Sequence, residues 1–338
     1  MKALTIKDIA TKAGVSVTTV SRVLNQRPDV NKATRQKVEQ IIKEYHFIGN
    51  TNARSLKQDN EVIGIIIRGR SNMFLNALAE AILDRTNTVP ERFITEYIDE
   101  KDDEFLTALH MTQQNRVKGL IFIGSLIDKR VSSINGMDIP IVFTTVNAKN
   151  AQLPNASSVA VDDRAMGRFV AEELFRLGHN RIAVFGSDPI AGDSLSMRFQ
   201  GFCDVCNEHN IPFDHTCYRE TRFSLQAGYD AAQEFFGSHP DVTALFTMSD
   251  MVAVGAIRAL IDMGKQVPDD VSVFGFDGID IGRFTNPRLT TIEQPVDDIA
   301  RQSVNLLLDM MENHASPRHI LVEAVPRMRE SVSRRSDI

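Results

Sequence analysis

A row of short side chains with one arginine lies near the start of the chain. The row comprises Val17, Thr18, Thr19, Ser21, Arg22 and Asn25. Short side chains let a helix backbone approach base edges in the DNA major groove, and an arginine can bind guanine with two hydrogen bonds. The pattern therefore favours recognition of DNA by hydrogen bonding. An ordinary surface helix pair in a small bundle is the alternative interpretation.

Two short helices are predicted to position this row. Thr5 can cap the first helix, and Asp8 follows three residues later in a capping-box arrangement. Gly14 supplies the turn, because a left-handed backbone costs glycine nothing. Ser16 is the predicted cap of the second helix. The predicted buried face of that helix consists of Val20, Val23 and Leu24.

Charge is distributed unevenly along the 338 residues. Residues 1–60 contain eleven Lys and Arg against five Asp and Glu, a net charge of +6. The whole chain carries −6, so the remainder carries −12. A basic head attracts phosphates and an acidic body limits indiscriminate binding. This length suffices for a small head and one large two-lobed domain.

Other classes of protein have less support. The N-terminus lacks an apolar run long enough for a signal peptide, and no stretch is predicted to span a membrane, so we expect a cytoplasmic, nucleoid-associated protein. A secreted transport protein is thereby disfavoured. Walker A, H-E-x-x-H and G-x-S-x-G motifs are absent, so no catalytic residues are predicted and an enzyme is disfavoured.

The three cysteines are odd in number, which argues against a disulfide framework. Cys203 and Cys206 form a C-x-x-C pattern, followed by His209 at helical spacing. A zinc or redox site needs ligands that converge on one point, whereas cysteines on an amphipathic helix commonly pack as small apolar residues. We therefore expect neither a metal site nor a cofactor.

From Val62 onward, short apolar β-rich runs alternate with amphipathic helical stretches. The predicted strands are Val62–Ile67, Gly119–Gly124, Ile139–Val146, Ser158–Asp162, Arg181–Gly186, Ala244–Met248 and Val271–Gly275. The predicted helices are Phe74–Asn87, Asp102–Asn115, Arg164–Leu177, Arg198–His209, Leu225–Gly237 and Met251–Met263. Strands that are apolar throughout and separated by helices indicate parallel sheets covered on both faces. Two doubly wound lobes fit this number of units, with a ligand between the strand C-terminal ends.

The stretch from Leu4 to Lys57, with its motifs GVS, TVSRVLN and N-x-x-ARSL, resembles the headpiece of the LacI–GalR family of bacterial transcription regulators. The body resembles the periplasmic-binding-protein-like half of that family, through LGHNRIAVFG (177–186) and VPDDVSVFGFDG (267–278). The resemblance implies an all-α helix-turn-helix headpiece joined to an α/β two-lobed domain of doubly wound parallel sheets. The implied boundaries are a headpiece at 1–47, a hinge helix and linker at 48–61, an effector-binding and dimerisation domain at 62–331 (near lobe about 62–161 plus 293–325, far lobe about 162–292) and a tail at 332–338. Crossings between the lobes are expected near Asp162, Ile292 and Val325.

For DNA, the resemblance implies a homodimer on a near-palindromic double-stranded operator. Thr18, Arg22 and Val17 would read the major groove, and Leu56, beside Ala53, would be an apolar wedge in the minor groove. Residues expected to contact phosphates are Ser16, Thr19, Ser21, Asn25, Thr34 and Asn50, and Thr5 belongs to the same DNA-binding set.

For the effector, the resemblance implies a site containing Asn72, Phe74, Arg198, Phe223, Ser249, Asp277 and Gln294. Arg198 would bind hydroxyls or a carboxylate, Asp277 would accept from hydroxyls, and Phe223 would stack on a sugar ring. Without the resemblance, an arginine such as Arg198 is usually solvated or salt-bridged, and Asp277 could simply cap the following turn. Such a site suits a sugar or sugar phosphate.

Arg68 and Arg70 stand near the first loop, where they would suit a phosphorylated or acidic ligand, although we favour solvated surface. The predicted function is a repressor of carbohydrate uptake or metabolism genes. The alternative is a global catabolite regulator controlled by a phosphorylated partner protein.

Overall fold

The computed structural model describes residues 6–24, 30–44, 62–86, 91–188 and 194–335. The chain divides into two compact units, one of residues 1–60 with 110–117 and the other of residues 61–109 with 118–338. None of the helices in the described ranges is both long and apolar enough to cross a membrane.

The head contains three helices, α1 (Ile6–Ala13), α2 (Val17–Leu24) and α3 (Lys32–Glu44). Gly14 follows α1 with a φ of +61°, which makes the turn the sequence predicts. Ser16 Oγ accepts from Thr19 N at 3.1 Å and so caps α2. The buried core of the head consists of Ile9, Ala10, Ala13, Val20, Val23 and Val38. The predicted helix-turn-helix is therefore confirmed.

The first lobe of the body is built on a six-stranded sheet in the order β11-β5-β4-β3-β1-β2. Its strands are β1 (Val62–Arg68), β2 (Arg92–Ile98), β3 (Val117–Ile123), β4 (Ile141–Thr144), β5 (Ala156–Val161) and β11 (His319–Val322). Helices α4 (Met73–Thr86), α5 (Glu104–Asn115) and α10 (Val296–Glu312) accompany it. Side chains from β1, α4 and α10 form one buried apolar cluster. The helices can pack on the sheet in this way because its central strands are apolar on both faces.

The second lobe has a six-stranded sheet in the order β12-β10-β9-β8-β6-β7. Its strands are β6 (Ile182–Gly186), β7 (Tyr218–Glu220), β8 (Ala244–Thr247), β9 (Ser272–Asp277), β10 (Thr290–Glu293) and β12 (Val325–Arg327). Its helices are α6 (Asp163–Arg176), α7 (Ser194–Glu208), α8 (Leu225–Ser238) and α9 (Asp250–Asp262). The β10–β12 pair is antiparallel, whereas β6, β7, β8, β9 and β10 pair in parallel. The predicted two-lobed α/β architecture is confirmed.

The chain passes between the two sheets three times. It leaves the first lobe at Asp162, returns at 294–295 between β10 and α10, and leaves again at 323–324 between β11 and β12. Of the positions expected from the sequence, Ile292 lies inside β10 and Val325 begins β12. The three crossings lie on one side of the cleft between the lobes. On the other side, the lobes can contact each other only through side chains.

Two glycines bring α6 and α7 into close contact. A Cβ on Gly167 would lie 2.0 Å from Arg198 O, and one on Gly201 would lie 2.0 Å from Arg164 O. Neither backbone oxygen can move without displacing its helix. The pair therefore fixes α7, which carries Arg198, against α6.

Candidate functional site: a cleft between the lobes and an exposed helix face

A cavity of about 600 Å³ lies between the two lobes of the body. This volume falls in the range of small-molecule sites. Residues at the carboxyl ends of strands from both sheets line it, where ligands of open α/β sheets bind. They include Arg68 at the end of β1, Ser125 after β3, Ser187 after β6, Ser249 after β8 and Asp277 at the end of β9.

All seven effector-site residues named from the sequence line this one cavity. Asn72, Phe74, Arg198, Phe223, Ser249, Asp277 and Gln294 come from both lobes and from the second crossing. The structure thus brings together side chains that are 222 positions apart in the chain, from 72 to 294.

Arg198 belongs to a buried ion pair. It is 4% exposed, and its Nε donates to Asp163 Oδ1 at 2.6 Å. Its Nη1 donates to Met248 O at 2.9 Å, and its guanidinium carbon lies 3.5 Å from the centre of the Phe276 ring. Stacking and two hydrogen bonds hold the planar group in one orientation at the cavity wall. Arg198 is therefore the salt-bridged arginine of the simpler interpretation, and it also lines the cavity.

Asp277 is held from two sides. Its Oδ2 accepts from Ser249 Oγ at 3.0 Å, and its Oδ1 accepts from Gln294 Nε2 at 2.9 Å. Its φ of +118° is a backbone conformation that favours glycine, and such strain is common at ligand sites. Burial raises the pKa of Asp277 to about 6, against the opposing effect of the Arg198 charge. A carboxyl group with this environment can accept or donate a hydrogen bond near neutral pH.

Asp250, and not Asp277, caps the turn after β9. Asp250 Oδ2 accepts from the N–H groups of Gly278 at 2.8 Å and Ile279 at 2.9 Å, and Oδ1 accepts from Thr291 Oγ1 at 2.6 Å. Burial, and then the charge of Asp277, raise the pKa of Asp250 well above its usual range. The simpler interpretation of Asp277 as a turn cap is therefore wrong, because the carboxyl group of Asp250 caps this turn.

The other predicted residues have distinct surroundings. The Ser249 hydroxyl is used on Asp277, so it positions that carboxylate. Asn72 Oδ1 accepts from Leu75 N at 3.2 Å at the start of α4. Phe74 is buried in the first-lobe core, and half-buried Phe223 packs against the second-lobe core. Gln294 Oε1 is buried and makes no hydrogen bond within the described part of the chain.

Arg68 and Arg70 differ in exposure and in their position relative to the cavity. Arg70 is exposed, and its Nη2 donates to Tyr97 O at 2.9 Å. Arg68 is half-buried and lines the cavity, with Nη2 donating to Glu100 O. The interpretation of both as solvated surface is therefore wrong for Arg68.

Glu104, which no sequence motif indicated, lies behind the first-lobe wall. Its Oε1 accepts from Ser125 Oγ and from Leu126 N, both at 2.9 Å, and so holds a loop that lines the cavity. Its Oε2 is buried with no hydrogen-bond partner among the described residues. Burial raises the pKa of Glu104 to about 7, opposed by these hydrogen bonds and by Arg68 and Arg130.

A second feature not foreseen from the sequence bridges the lobes. Arg222 follows β7, and Asp99 and Glu100 follow β2. Arg222 Nη2 lies 3.1 Å from Asp99 Oδ2, and Arg222 Nε lies 3.2 Å from Glu100 Oε2. These exposed ion pairs connect the two lobes on the side of the cleft that lies away from the chain crossings. Only the alternation of acidic and basic loops could have indicated them in the sequence.

The cysteines and His179 lie away from the cavity lining. Burial raises the pKa of the Cys203 thiol to about 12 and that of Cys206 to about 11, and both pack in the second-lobe core. His179 lies within hydrogen-bond distance of Thr243 Oγ1 and Ser333 O. Among the residues that the structure describes, no group of three or more His, Cys, Asp and Glu could hold a metal ion.

The head presents the predicted row on α2. Ser16, Val17, Thr18 and Arg22 are exposed, with Val17 40% exposed although it is apolar. Thr19 and Thr34 are half-buried. Ser21 lies in α2. The remaining DNA-contact predictions, Thr5, Asn25, Asn50, Ala53 and Leu56, lie outside the described residues.

Comparison with known proteins assigns both parts to one class, a helix-turn-helix head joined to a two-lobed ligand-binding body. Residues 5–50 match the family described as bacterial regulatory proteins, lacI family. Residues 171–332 match the periplasmic binding protein-like domain.

The relatives extend over nearly the whole chain. It is 32% identical over 332 residues to the HTH-type transcriptional regulator MalR of Clostridium butyricum, covering 95% of this chain and 96% of that one. It is 32% identical over 309 residues to the ribose operon repressor of Halalkalibacterium halodurans, covering 91% and 90%. The lac repressor dimer bound to operator and the anti-inducer ONPF has a TM-score of 0.72 at 28% identity, covering 98% of this chain and 100% of that chain. The chain belongs to the LacI family of bacterial transcription regulators.

Proposed function

We propose that this regulator is a homodimeric repressor of carbohydrate genes that binds a near-palindromic operator. A sugar-like effector in the cleft raises or lowers the affinity of the repressor for that operator. It acts in the cytoplasm, at the nucleoid, and the cleft binds its effector without converting it chemically. One observation carries the effector part of the proposal: Arg198, Asp277 and Gln294 meet Asn72 and Phe223 around a single cavity of about 600 Å³.

The DNA end of the proposal rests on the exposed face of α2. In it, Thr18 and Arg22 read base edges, and exposed Val17 contacts a thymine methyl or shapes the fit. Ser16, Thr19, Ser21 and Thr34 position the head through phosphates, which carry affinity but no sequence information. Asn25, Asn50, Ala53 and Leu56 complete the contact set, with Leu56 as a minor-groove wedge.

The effector end combines polar and apolar groups in the proportions that suit a sugar ring. Asp277 accepts from ring hydroxyls, and Arg198 donates from the edge of its fixed guanidinium. Half-buried Phe223 offers an apolar face for the ring. The name of one relative agrees with this class, since it is a ribose operon repressor.

Coupling follows from the position of the cavity. A ligand that touches both lobes binds best at one degree of closure, so it shifts the population of lobe arrangements. The bridge from Arg222 to Asp99 and Glu100 shows that the lobes also contact through side chains at the cleft. Control by a phosphorylated partner protein is the alternative, and a relative named catabolite control protein A is 28% identical. The cavity lined by both lobes favours a small molecule.

The first test is selection of DNA sites from a random pool with the purified full chain at fixed salt. We expect an enriched palindrome of about 14–20 base pairs, as two half-sites on one duplex require. On that site, Arg22→Gln should lose about 1–3 kcal/mol of binding free energy, the cost of one bidentate guanine contact.

Arg22→Lys is the matched control for this selection, because it keeps the charge and loses the planar fork. It should retain binding to non-specific DNA while losing preference for the selected site. An asymmetric site, or a palindrome bound equally well by Arg22→Gln, would contradict the proposal.

A further inference from the structure

We propose that the effector carries an anionic group, a phosphate monoester or a carboxylate, which binds Arg68 on the first-lobe wall of the cleft. The inference rests on the proposed function, since it assumes that the cavity is the effector site. It adds the chemical class of the ligand and assigns a specificity residue that the family resemblance does not supply.

The first argument is the state of the Arg68 side chain. Arg68 is the last residue of β1, is half-buried and lines the cavity. Its Nη2 donates to the main-chain oxygen of Glu100, which carries no formal charge. Its Nε is buried and has no hydrogen-bond partner among the described residues. A buried N–H left without an acceptor costs free energy, so the protein alone does not fully satisfy this guanidinium.

The second argument is a contrast with the other arginines of the same cavity. Arg198 is paired with Asp163, and Arg222 is paired with Asp99 and Glu100. Arg68 makes no ion pair with any carboxylate in the described part of the chain. It is therefore the cavity arginine whose charge is left for a ligand.

The third argument concerns two carboxyl groups near Arg68, Glu104 and Asp128, since the positive charge of Arg68 acts to lower the pKa of both. Asp128 is paired with Arg130 at 2.8 Å. Glu104 is buried behind Ser125 and Leu126, and burial raises its pKa to about 7, so it carries only part of a charge at neutral pH. Neither carboxylate neutralises Arg68 as Asp163 neutralises Arg198.

A guanidinium in this state suits an oxyanion. Its planar fork matches phosphate and carboxylate geometry, and charge-assisted hydrogen bonds are about twice as strong as neutral ones. Exposed Lys101, from the loop after β2, lines the same cavity and adds a second positive charge. The acidic group of the ligand would then face the first lobe while its ring hydroxyls face Asp277 and Gln294.

The test is isothermal titration of the full chain with matched sugars at one ionic strength. The probes are glucose, glucose 6-phosphate and glucuronate; galactose and galacturonate; and ribose and ribose 5-phosphate. We expect one acidic sugar to bind at least about tenfold more tightly than its neutral parent, as charge-assisted bonds in a partly buried site allow. Whether a phosphate or a carboxylate gives the gain identifies the anion.

Three variants assign the effect. Arg68→Gln should remove the preference for the acidic sugar, and Arg68→Lys should keep part of it, because the charge remains and the fork is lost. Arg70→Gln is the matched control: Arg70 is two residues away, exposed and outside the cavity lining, so the preference should persist.

The remaining outcomes separate the inference from the proposed function. A neutral sugar that binds as tightly as its acidic partners, and equally to Arg68→Gln, overturns the inference and leaves the sugar-binding cleft intact. A preference for an acidic sugar that survives Arg68→Gln with native circular dichroism overturns the role of Arg68. Binding of none of the probes, with operator binding intact, counts against both the inference and the proposed sugar effector.

Discussion

The charged side chains on the two sides of the cleft differ in whether the protein supplies partners for them. On the second-lobe wall, Arg198 is paired with Asp163, and Asp277 accepts from Ser249 and Gln294. On the first-lobe side, Arg68 Nε and Glu104 Oε2 are buried without partners among the described residues. Both walls use the carboxyl ends of parallel strands, so the difference lies in the side chains and not in the fold.

This difference separates two tasks. Groups paired within the protein, such as Arg198 with Asp163, are fixed before a ligand arrives, so they preserve the shape of the cleft at little cost on binding. A partly buried charge without a partner lowers stability until a ligand supplies one, and it discriminates between ligands by charge. Under the proposal of an anionic effector, the second-lobe wall preserves the shape of the cleft and the first-lobe wall selects ligands by charge.

The largest expected effect is on stability, from removing Arg198. Arg198→Met conserves volume but removes the cationic partner of Asp163, a carboxylate that is only 6% exposed. We expect the free energy of unfolding to fall by about 3–5 kcal/mol, the usual cost of breaking a buried pair from one side. Urea denaturation of the full chain at neutral pH measures it.

Arg168→Met is the control for this prediction, because Arg168 joins the same two helices through Glu208 on the surface. Their side chains are 32% and 58% exposed, so the loss of this solvent-screened pair should lower stability much less than the loss of Arg198. Equal losses in the two variants would remove the distinction between a preorganised wall and ordinary surface pairing.

The smaller effect has the opposite sign and belongs to Glu104. Burial raises its pKa to about 7, so between about pH 4.5 and 7 the folded protein holds a proton that the unfolded chain has released. The contribution of Glu104 to stability therefore declines as pH rises through this interval. Glu104→Gln should exceed wild type in stability by about 1–3 kcal/mol at pH 8 and match it near pH 4.5.

Thermal and urea denaturation across this pH interval provide the measurement, with the low-pH end as the internal control. Glutamine Oε1 can still accept from Ser125 and Leu126, so the loop should remain in place. A variant less stable than wild type at pH 8 would mean that Glu104 is an effectively paired carboxylate, and the contrast between the walls would fail.

Much of the fold can be predicted from sequence because the central strands are apolar throughout. β1, β3, β4, β5, β6, β8 and β9 all overlap predicted strands, and α4 to α9 overlap predicted helices. The apolar pattern did not indicate β2, β7, β11 and β12, which lie at sheet edges, where exposed positions such as Glu96 interrupt it. Nor did it indicate β10 and α10. In β10, Thr290 and Thr291 are fully buried, which depends on tertiary partners such as Asp250.

The site, like the fold, has features that the sequence can indicate and features that depend on tertiary structure. The family resemblance named seven of the residues that line the cavity, because they stand in recognisable motifs such as GFDG and RFQGF. It could not indicate Asp163 as the partner of Arg198, since their pairing depends on close contact of α6 and α7. Nor could it distinguish Arg68 from Arg70. Two residues apart in sequence, they differ only in burial and partners, which tertiary structure decides.

The measurement that tests the account most directly is the operator affinity of the full chain with and without a saturating sugar that binds the cleft. Anisotropy with the selected operator gives this ratio, and titration calorimetry gives the sugar affinity with and without operator. We predict that both affinities change by the same factor, roughly 5–150-fold for a coupling of about 1–3 kcal/mol. A sugar that binds the cleft but leaves operator affinity unchanged would contradict the account.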